Sequence, residues 1–324
     1  MPSDDVAPTL YRWLGASGLE ALEVTALTGD VSPRRYFRVH LESGERLIAA
    51  VYPRAPEAAR GACARFLASS RLLEQAGVRV PAVRLADCAT GVMLLEDLGE
   101  RTLYELPRDD WRRIAPYLDA AVAALGRLRA VPSAAVAALN APLDEELLTR
   151  ELEQALGVYL EPHGLTGDGA LAADLRAALA AICAELGTQP GVVCHRDFMA
   201  RNLMPLAPPA APAEIGVLDH QDLRLGPPGY DLASLLNDSL FPPAGLAEGL
   251  RRAAGVEERP YRLAAVQRTL KAVGTFAVFA TRGSPRHLPL VSPTLERCLE
   301  HLAALPEWAA LAARLRPLWR RAIC

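Results

Sequence analysis

Apolar and polar positions alternate with a period of two along Arg35–Leu41 and again over residues 46–52, with Glu42-Ser43-Gly44-Glu45 between them. Such alternation around a short glycine-containing turn predicts a β-hairpin. Residues 9–20 have the spacing of a short amphipathic helix. Residues 56–76 read as a longer one, closed by Gly77 with Pro81 just beyond. Apolar runs at 82–86 and 91–97 flank a turn at 87–90, so the order β-β-α-β-β predicts a small sheet with one helix.

Past Leu98-Gly99 the period lengthens to that of helices, at 109–130, 144–160, 169–187, 229–239, 259–281, 291–303 and 306–322. The interval 192–222 is apolar and β-like, and its Pro/Ala-rich stretch at 205–213 predicts the tip of a hairpin. The expected architecture is α+β: a β-rich lobe over residues 1–98, a helical lobe over 99–324, and a ligand cleft between them.

Composition changes this picture little. The 324 residues are 51% hydrophobic and 23% charged, with net charge −3, so no basic excess points to nucleic acid. Lys271 is the only lysine. Six scattered cysteines with no C-x-x-C pair read as reduced, mostly buried thiols. The acidic start, Met-Pro-Ser-Asp-Asp, is unlike a basic leader, and charges interrupt every Ala/Leu run before membrane-spanning length. The expectation is a soluble cytoplasmic protein with a small-molecule partner and neither nucleic acid nor membrane.

The chemistry lies in two segments. In 192–204 an apolar strand runs into His195-Arg196-Asp197, and Asn202 follows the aspartate by five positions, the H-R-D-x-x-x-x-N spacing of kinase catalytic loops. Phosphoryl transfer asks a protein to hold the nucleophile in line and neutralise charge on the phosphate. Asp197 is the candidate base, and Asn202 a Mg²⁺ ligand that adds no charge. In the second segment the strand 215–218 delivers Asp219, a second Mg²⁺ ligand. His195 reads as packing the loop and Asp231 as a structural carboxylate at the start of the next helix. Asp222 fits either a partner for Arg224 or an acid near the metal.

With the segments Gly29–Val39, Leu94–Gly99, 195–204 with 218–236, and 267–277, the chain resembles the aminoglycoside-phosphotransferase superfamily, whose fold is protein-kinase-like. Within it, the chain is similar to the bacterial kinases that phosphorylate the anomeric hydroxyl of N-acetylmuramate and N-acetylglucosamine in cell-wall recycling. The resemblance implies ATP with Mg²⁺ as cofactors and a turn over the phosphates at 29–35. There Ser32 and Arg34 or Arg35 would compensate for a sparse glycine content. It also implies a connector at Glu96, Asp97 and Leu98 that meets adenine, with Met93 or Leu94 lining the pocket. The strand 46–52 lacks the lysine that kinases at large place against the phosphates. The residues after the two aspartates, Phe198-Met199-Ala200 and His220, depart from the sugar kinases near the acceptor pocket, where Arg201, Gln221 and Asp222 are candidates for acceptor binding. Arg268 and Lys271, three residues apart, share a helix face that is expected to read an anionic or polyhydroxylated acceptor such as a lactyl carboxylate. Arginines at 251, 252, 259, 262, 268, 282 and 286 argue against a cationic acceptor. The alternatives are a kinase for an aminoglycoside, choline or homoserine, and a nucleotide-binding module with little turnover.

Overall fold

The computed structural model describes residues 6–27, 34–52, 56–206 and 212–321, with only the backbone for 56–59 and 321. Helix α1 (Val6–Ala16) leads into the strands β1 (Ala21–Ala26), β2 (Arg35–Leu41) and β3 (Arg46–Val51). Helix α2 (Pro56–Gln75) and the strands β4 (Val83–Asp87) and β5 (Val92–Glu96) follow. The five strands form one antiparallel sheet in the order β1-β2-β3-β5-β4. The hairpin predicted from alternation is β2–β3, in register from Arg35↔Val51 to His40↔Arg46.

Alternation also explains why both faces of this sheet are covered. Phe37, Val39, Leu47, Ala49, Val92 and Leu94 point to one side and pack on Leu10 and Leu14 of α1. Ala50, Met93 and Leu95 point to the other side, against Cys63 and Phe66 of α2. Helix α1 begins three residues earlier than its spacing predicts and has ended before Gly18, which takes φ +75°. The edge strand β1 was not predicted, because it is half exposed and buries no side chain fully.

One cysteine expectation is corrected. Cys63 of α2 and Cys88 in the β4–β5 turn form a disulfide, while Cys183, Cys194 and Cys298 are buried thiols. Sequence spacing has no access to this pairing, since it depends on α2 lying across the turn.

The helical lobe contains α3 (Trp111–Leu128), α4 (Ser133–Ala137), α5 (Glu145–Ala155), α6 (Gly169–Gly187), α7 (Tyr230–Asn237), α8 (Ala244–Ala253), α9 (Glu258–Thr281), α10 (Val291–Ala303) and α11 (Ala309–Arg321). Helix α5 continues as a wider π-turn over Leu156–Leu160. Two short antiparallel pairs sit within this lobe: β6 (Val192–Cys194) with β9 (Arg224–Gly226), and β7 (Leu203–Pro205) with β8 (Ile215–Val217). The β7–β8 pair flanks the predicted tip, of which 207–211 lie outside the described residues. Helices α4 and α8 and strand β9 are additions to the predicted set. They are short, and α8 carries two glycines, so their pattern spans too few turns to stand out.

Helix α9 runs through the middle of this lobe. Residues Leu263 to Leu270 are all buried, including Gln267, Arg268 and Thr269. Buried polar groups need partners, and those partners build the site.

Candidate active site

Strand β6 ends at Cys194, and the next turn is locked by a carboxylate. Asp231, in the first turn of α7, accepts the backbone N–H groups of His195 at 2.6 Å and Arg196 at 2.9 Å. Those bonds hold Arg196 at φ +75°, a left-handed conformation that costs a non-glycine residue about 1–3 kcal/mol. The His195 ring contacts the Leu218 carbonyl at 2.9 Å and meets Phe198 edge-on. Both residues thus occupy bracing positions.

The turn aims Asp197 into a cavity of about 690 Å³ between the sheet and the helical lobe. Its Oδ1 lies 2.8 Å from Lys271 Nζ and 3.1 Å from Arg268 Nη1, both on α9. Burial alone would raise this carboxyl, but Lys271, then Arg268 and Arg196, outweigh it and hold it far below the usual carboxylate range. The cations are anchored in turn. Arg268 donates to Ser234 at 2.9 Å and Asp238 at 3.2 Å. Glu151 of α5 pairs with Arg196, lies 3.9 Å from Lys271 and accepts from Gln267 at 3.1 Å.

Asn202 donates Nδ2 to the Asp197 carbonyl at 2.9 Å, which fixes the amide and turns its Oδ1 to other use. Asp219 follows β8 at φ +57°, with its side chain 39% exposed. Its Oδ1 accepts from Arg34 Nη2 at 2.7 Å and Gln221 Nε2 at 2.7 Å. Asn202 and Asp219 face the same cavity as Asp197. They offer hard oxygen donors, a fit for Mg²⁺, which takes one or two protein oxygens and completes its shell with water and substrate phosphates. Among the described residues no cluster of three or more His, Cys, Asp or Glu can hold a metal by itself.

On the sheet side, Arg34, Glu96, Asp97 and Leu98 line the cavity. Arg79 and the Ala82 N–H hold the Glu96 carboxylate, and Arg38 grips Asp97 at 2.8 and 3.2 Å. Three expectations change. Arg35 lies over the Phe37 ring on the α1 side and does not reach the cavity lining. Met93 is buried beneath α2 and Leu94 beneath α1, while Leu95 lines the cavity instead. Strand parity removes Leu94, because only alternate residues of β5 share a face, while Met93 shares the Leu95 face but is buried against Cys63 and Phe66 of α2. Ser32 lies outside the described residues.

With no lysine on β3, Ile48 occupies the cavity face of that strand, and the cations that line the cavity on the sheet side are Arg34 and Arg38. The α2 helix contacts the Asp219 turn by another route. Ser70 Oγ lies 2.7 Å from His220 Nε2, and Phe66 packs on the same ring at 4.5 Å. Burial, then the proximity of His195, pushes His220 down to about 3, so it is neutral at physiological pH.

On the helical side, Arg201, Arg268 and Lys271 line the cavity. Gln221 and Asp222 are not part of the lining: Gln221 links Arg34 to Asp219, and Asp222 pairs with Arg196 and Arg224. Four of the arginines expected to turn away a cationic acceptor lie outside the cavity lining. Arg251, Arg252, Arg259 and Arg262 form ion pairs with Glu248, Glu185, Glu307 and Glu258, remote from the cavity lining. Sequence reasoning missed Arg38, Glu151 and Asp238. None left a trace: Arg38 stands among the polar positions of an alternating strand, where a charge is ordinary.

The Phosphotransferase enzyme family model matches residues 23–266. The N-acetylmuramate/N-acetylglucosamine kinases of Pseudomonas aeruginosa and Pseudomonas putida are each 32% identical over 97% of this chain and 94% of their own. The kinase of that name from Caulobacter vibrioides is 29% identical over 93% of both chains. Among solved structures, the GDP complex of aminoglycoside 2'-phosphotransferase-IIIa superposes with a TM-score of 0.64 at 15% identity, covering 92% of this chain and 98% of that one. The choline kinase LicA of Streptococcus pneumoniae gives 0.62 at 15%, covering 94% and 99%. The fold is therefore that of the protein-kinase-like phosphotransferases.

Proposed function

The chain belongs to the phosphotransferase enzyme family, and from that premise we propose that it transfers the γ-phosphoryl group of ATP to the anomeric hydroxyl of an N-acetylated amino sugar. The observation that carries the reading is the Asp197 carboxylate, gripped by Lys271 and Arg268 and facing Asn202 and Asp219 across one cavity.

In this reading Asp197 orients the acceptor hydroxyl and takes its proton. A carboxylate held so firmly in its charged form is a weak base. It suits an acceptor whose hydroxyl is more acidic than an ordinary alcohol, as an anomeric hydroxyl is. It also suits phosphoryl transfer, in which positioning and charge neutralisation do most of the work. Asn202 Oδ1 and Asp219 would hold Mg²⁺, whose chemistry is to neutralise charge on the phosphate oxygens. Arg34 is the residue best placed to take over the phosphate contact of the missing strand lysine, with adenine against the connector Glu96–Leu98. We take residues 1–98 as the nucleotide lobe and 99–324 as the catalytic and acceptor lobe. The names of the relatives point to N-acetylmuramate and N-acetylglucosamine as acceptors. A cytoplasmic role in cell-wall recycling accords with that, and among the described residues no helix is long and apolar enough to cross a membrane.

The test is a panel of N-acetylmuramate, N-acetylglucosamine, choline and kanamycin with Mg²⁺-ATP. ADP release is expected with the amino sugars alone. Release with choline or kanamycin but with neither sugar would sink the acceptor assignment.

A further inference from the structure

Four of the five cations lining the cavity have carboxylate partners. Arg34 pairs with Asp219, Arg38 with Asp97, Arg268 with Asp197 and Asp238, and Lys271 with Asp197. Arg201 differs: among the described residues no carboxylate pairs with it. Its guanidinium lies between two aromatic rings, 5.1 Å from the centroid of Phe276 on α9 and 5.9 Å from that of Tyr104. Its Nη2 lies 3.0 Å from Met199 Sδ, a weak acceptor, and its Nη1 is buried with no partner.

A guanidinium partly withdrawn from water and lacking a counter-ion is compensated only by the ring faces and a thioether, which replace less than an ion pair would. An anion that enters the cavity restores the balance, and the planar fork favours a carboxylate over a point-like group. Lys271 and Arg268 are poorly suited to that task because Asp197 already engages both.

We propose that Arg201 is the carboxylate-reading residue of the acceptor subsite, which discriminates acidic amino sugars from neutral ones. The inference rests on the sugar-kinase reading above. In N-acetylmuramate the group read is the lactyl carboxylate, which N-acetylglucosamine lacks.

The test compares kcat/KM for N-acetylmuramate, its neutral methyl ester and N-acetylglucosamine, in the wild type and in Arg201→Gln and Arg201→Lys. The wild type is expected to favour the acid over the ester by about tenfold or more, equivalent to about 1.4 kcal/mol. Arg201→Gln should bring that ratio close to one, and Arg201→Lys should restore part of it. The wild-type comparison of acid and ester needs no variant and stands if Arg201→Gln fails to fold. An acid-to-ester ratio near one in the wild type, or one that persists in Arg201→Gln, overturns the proposal. So does a rise in KM for ATP with the ratio unchanged, which would put Arg201 on the phosphates. Wild-type turnover of N-acetylglucosamine separates the two claims: with it, the sugar-kinase reading survives even if Arg201 proves silent. Turnover of none of the three sugars removes that reading and this inference together.

Discussion

Asp197 is charged because cations surround it in a partly enclosed site, and its behaviour with pH follows from that. With its carboxyl far below the usual range, kcat/KM should show no acid limb from this group between about pH 5 and 8. Lys271→Met removes the largest favourable contribution, so burial gains ground and an acid limb should move up towards that window in a pH–rate profile. The sign is the same for stability. A depressed carboxyl stabilises the fold above its unfolded value of about 3.9 and loses that contribution as pH falls towards its folded value. Arg34→Met should raise KM for ATP by about tenfold while changing KM for the acceptor little, which initial-rate kinetics on both substrates would reveal. A change confined to the acceptor would remove Arg34 from the phosphates. Asp197, Asn202 and Asp219 were legible in the sequence because one loop and one strand deliver them at fixed spacing. Glu151 and Asp238 were not. Their roles arise where α5 and α7 meet α9, and neither is close in sequence to the groups it holds.

At the scale of elements, the site depends on where α9 lies and how the loop after β6 is held. A Cβ built on Gly274 would come within 2.8–2.9 Å of the Ala155 backbone, so α9 crosses α5 at a point that only glycine allows. Gly274→Ala must push the helices apart and should cost about 1–3 kcal/mol of stability in denaturant unfolding. It should also lower kcat by shifting Lys271, one turn away. A neutral effect on both would show that α9 has slack. Asp231→Ala strips two buried N–H groups of their acceptor, about 1–3 kcal/mol for each group left unpaired. A fall in Tm together with kcat is the expected result. Periodicity gave β2, β3, α6 and α10 almost to the residue, because each presents one face to a core over several turns or pleats. It missed β1, an exposed edge strand. It put Arg268 and Lys271 on one helix face, and both line the cavity, but it gave no sign that α9 is buried nearly all round and Arg268 with it.

At the scale of the molecule, the lobes meet across the cavity through few polar ties. Arg34 bonds Asp219 and Gln221, Ser70 meets His220, and the Val217 N–H bonds the Arg79 carbonyl at 2.8 Å. A ligand that bridges both sides therefore adds to stability by linkage. Mg²⁺-ATP at a hundred times its Kd should stabilise the chain by about 2.7 kcal/mol, visible as a rise in Tm that chelation of Mg²⁺ reduces. The two-lobe plan was legible from the change of period after Leu98-Gly99. The faces that line the cleft were not, since the choice of Leu95 over Leu94 depends on which side of the sheet α1 covers. The central claim, phosphoryl transfer to a sugar with Asp197 as base, is tested most directly by measuring acceptor-dependent ADP release with N-acetylmuramate and N-acetylglucosamine and locating the phosphate on the product. The account predicts a 1-phosphate sugar and a loss of about 10²–10⁴ in kcat for Asp197→Asn. ADP release that neither sugar raises, or an Asp197→Asn variant as fast as the wild type, would contradict it.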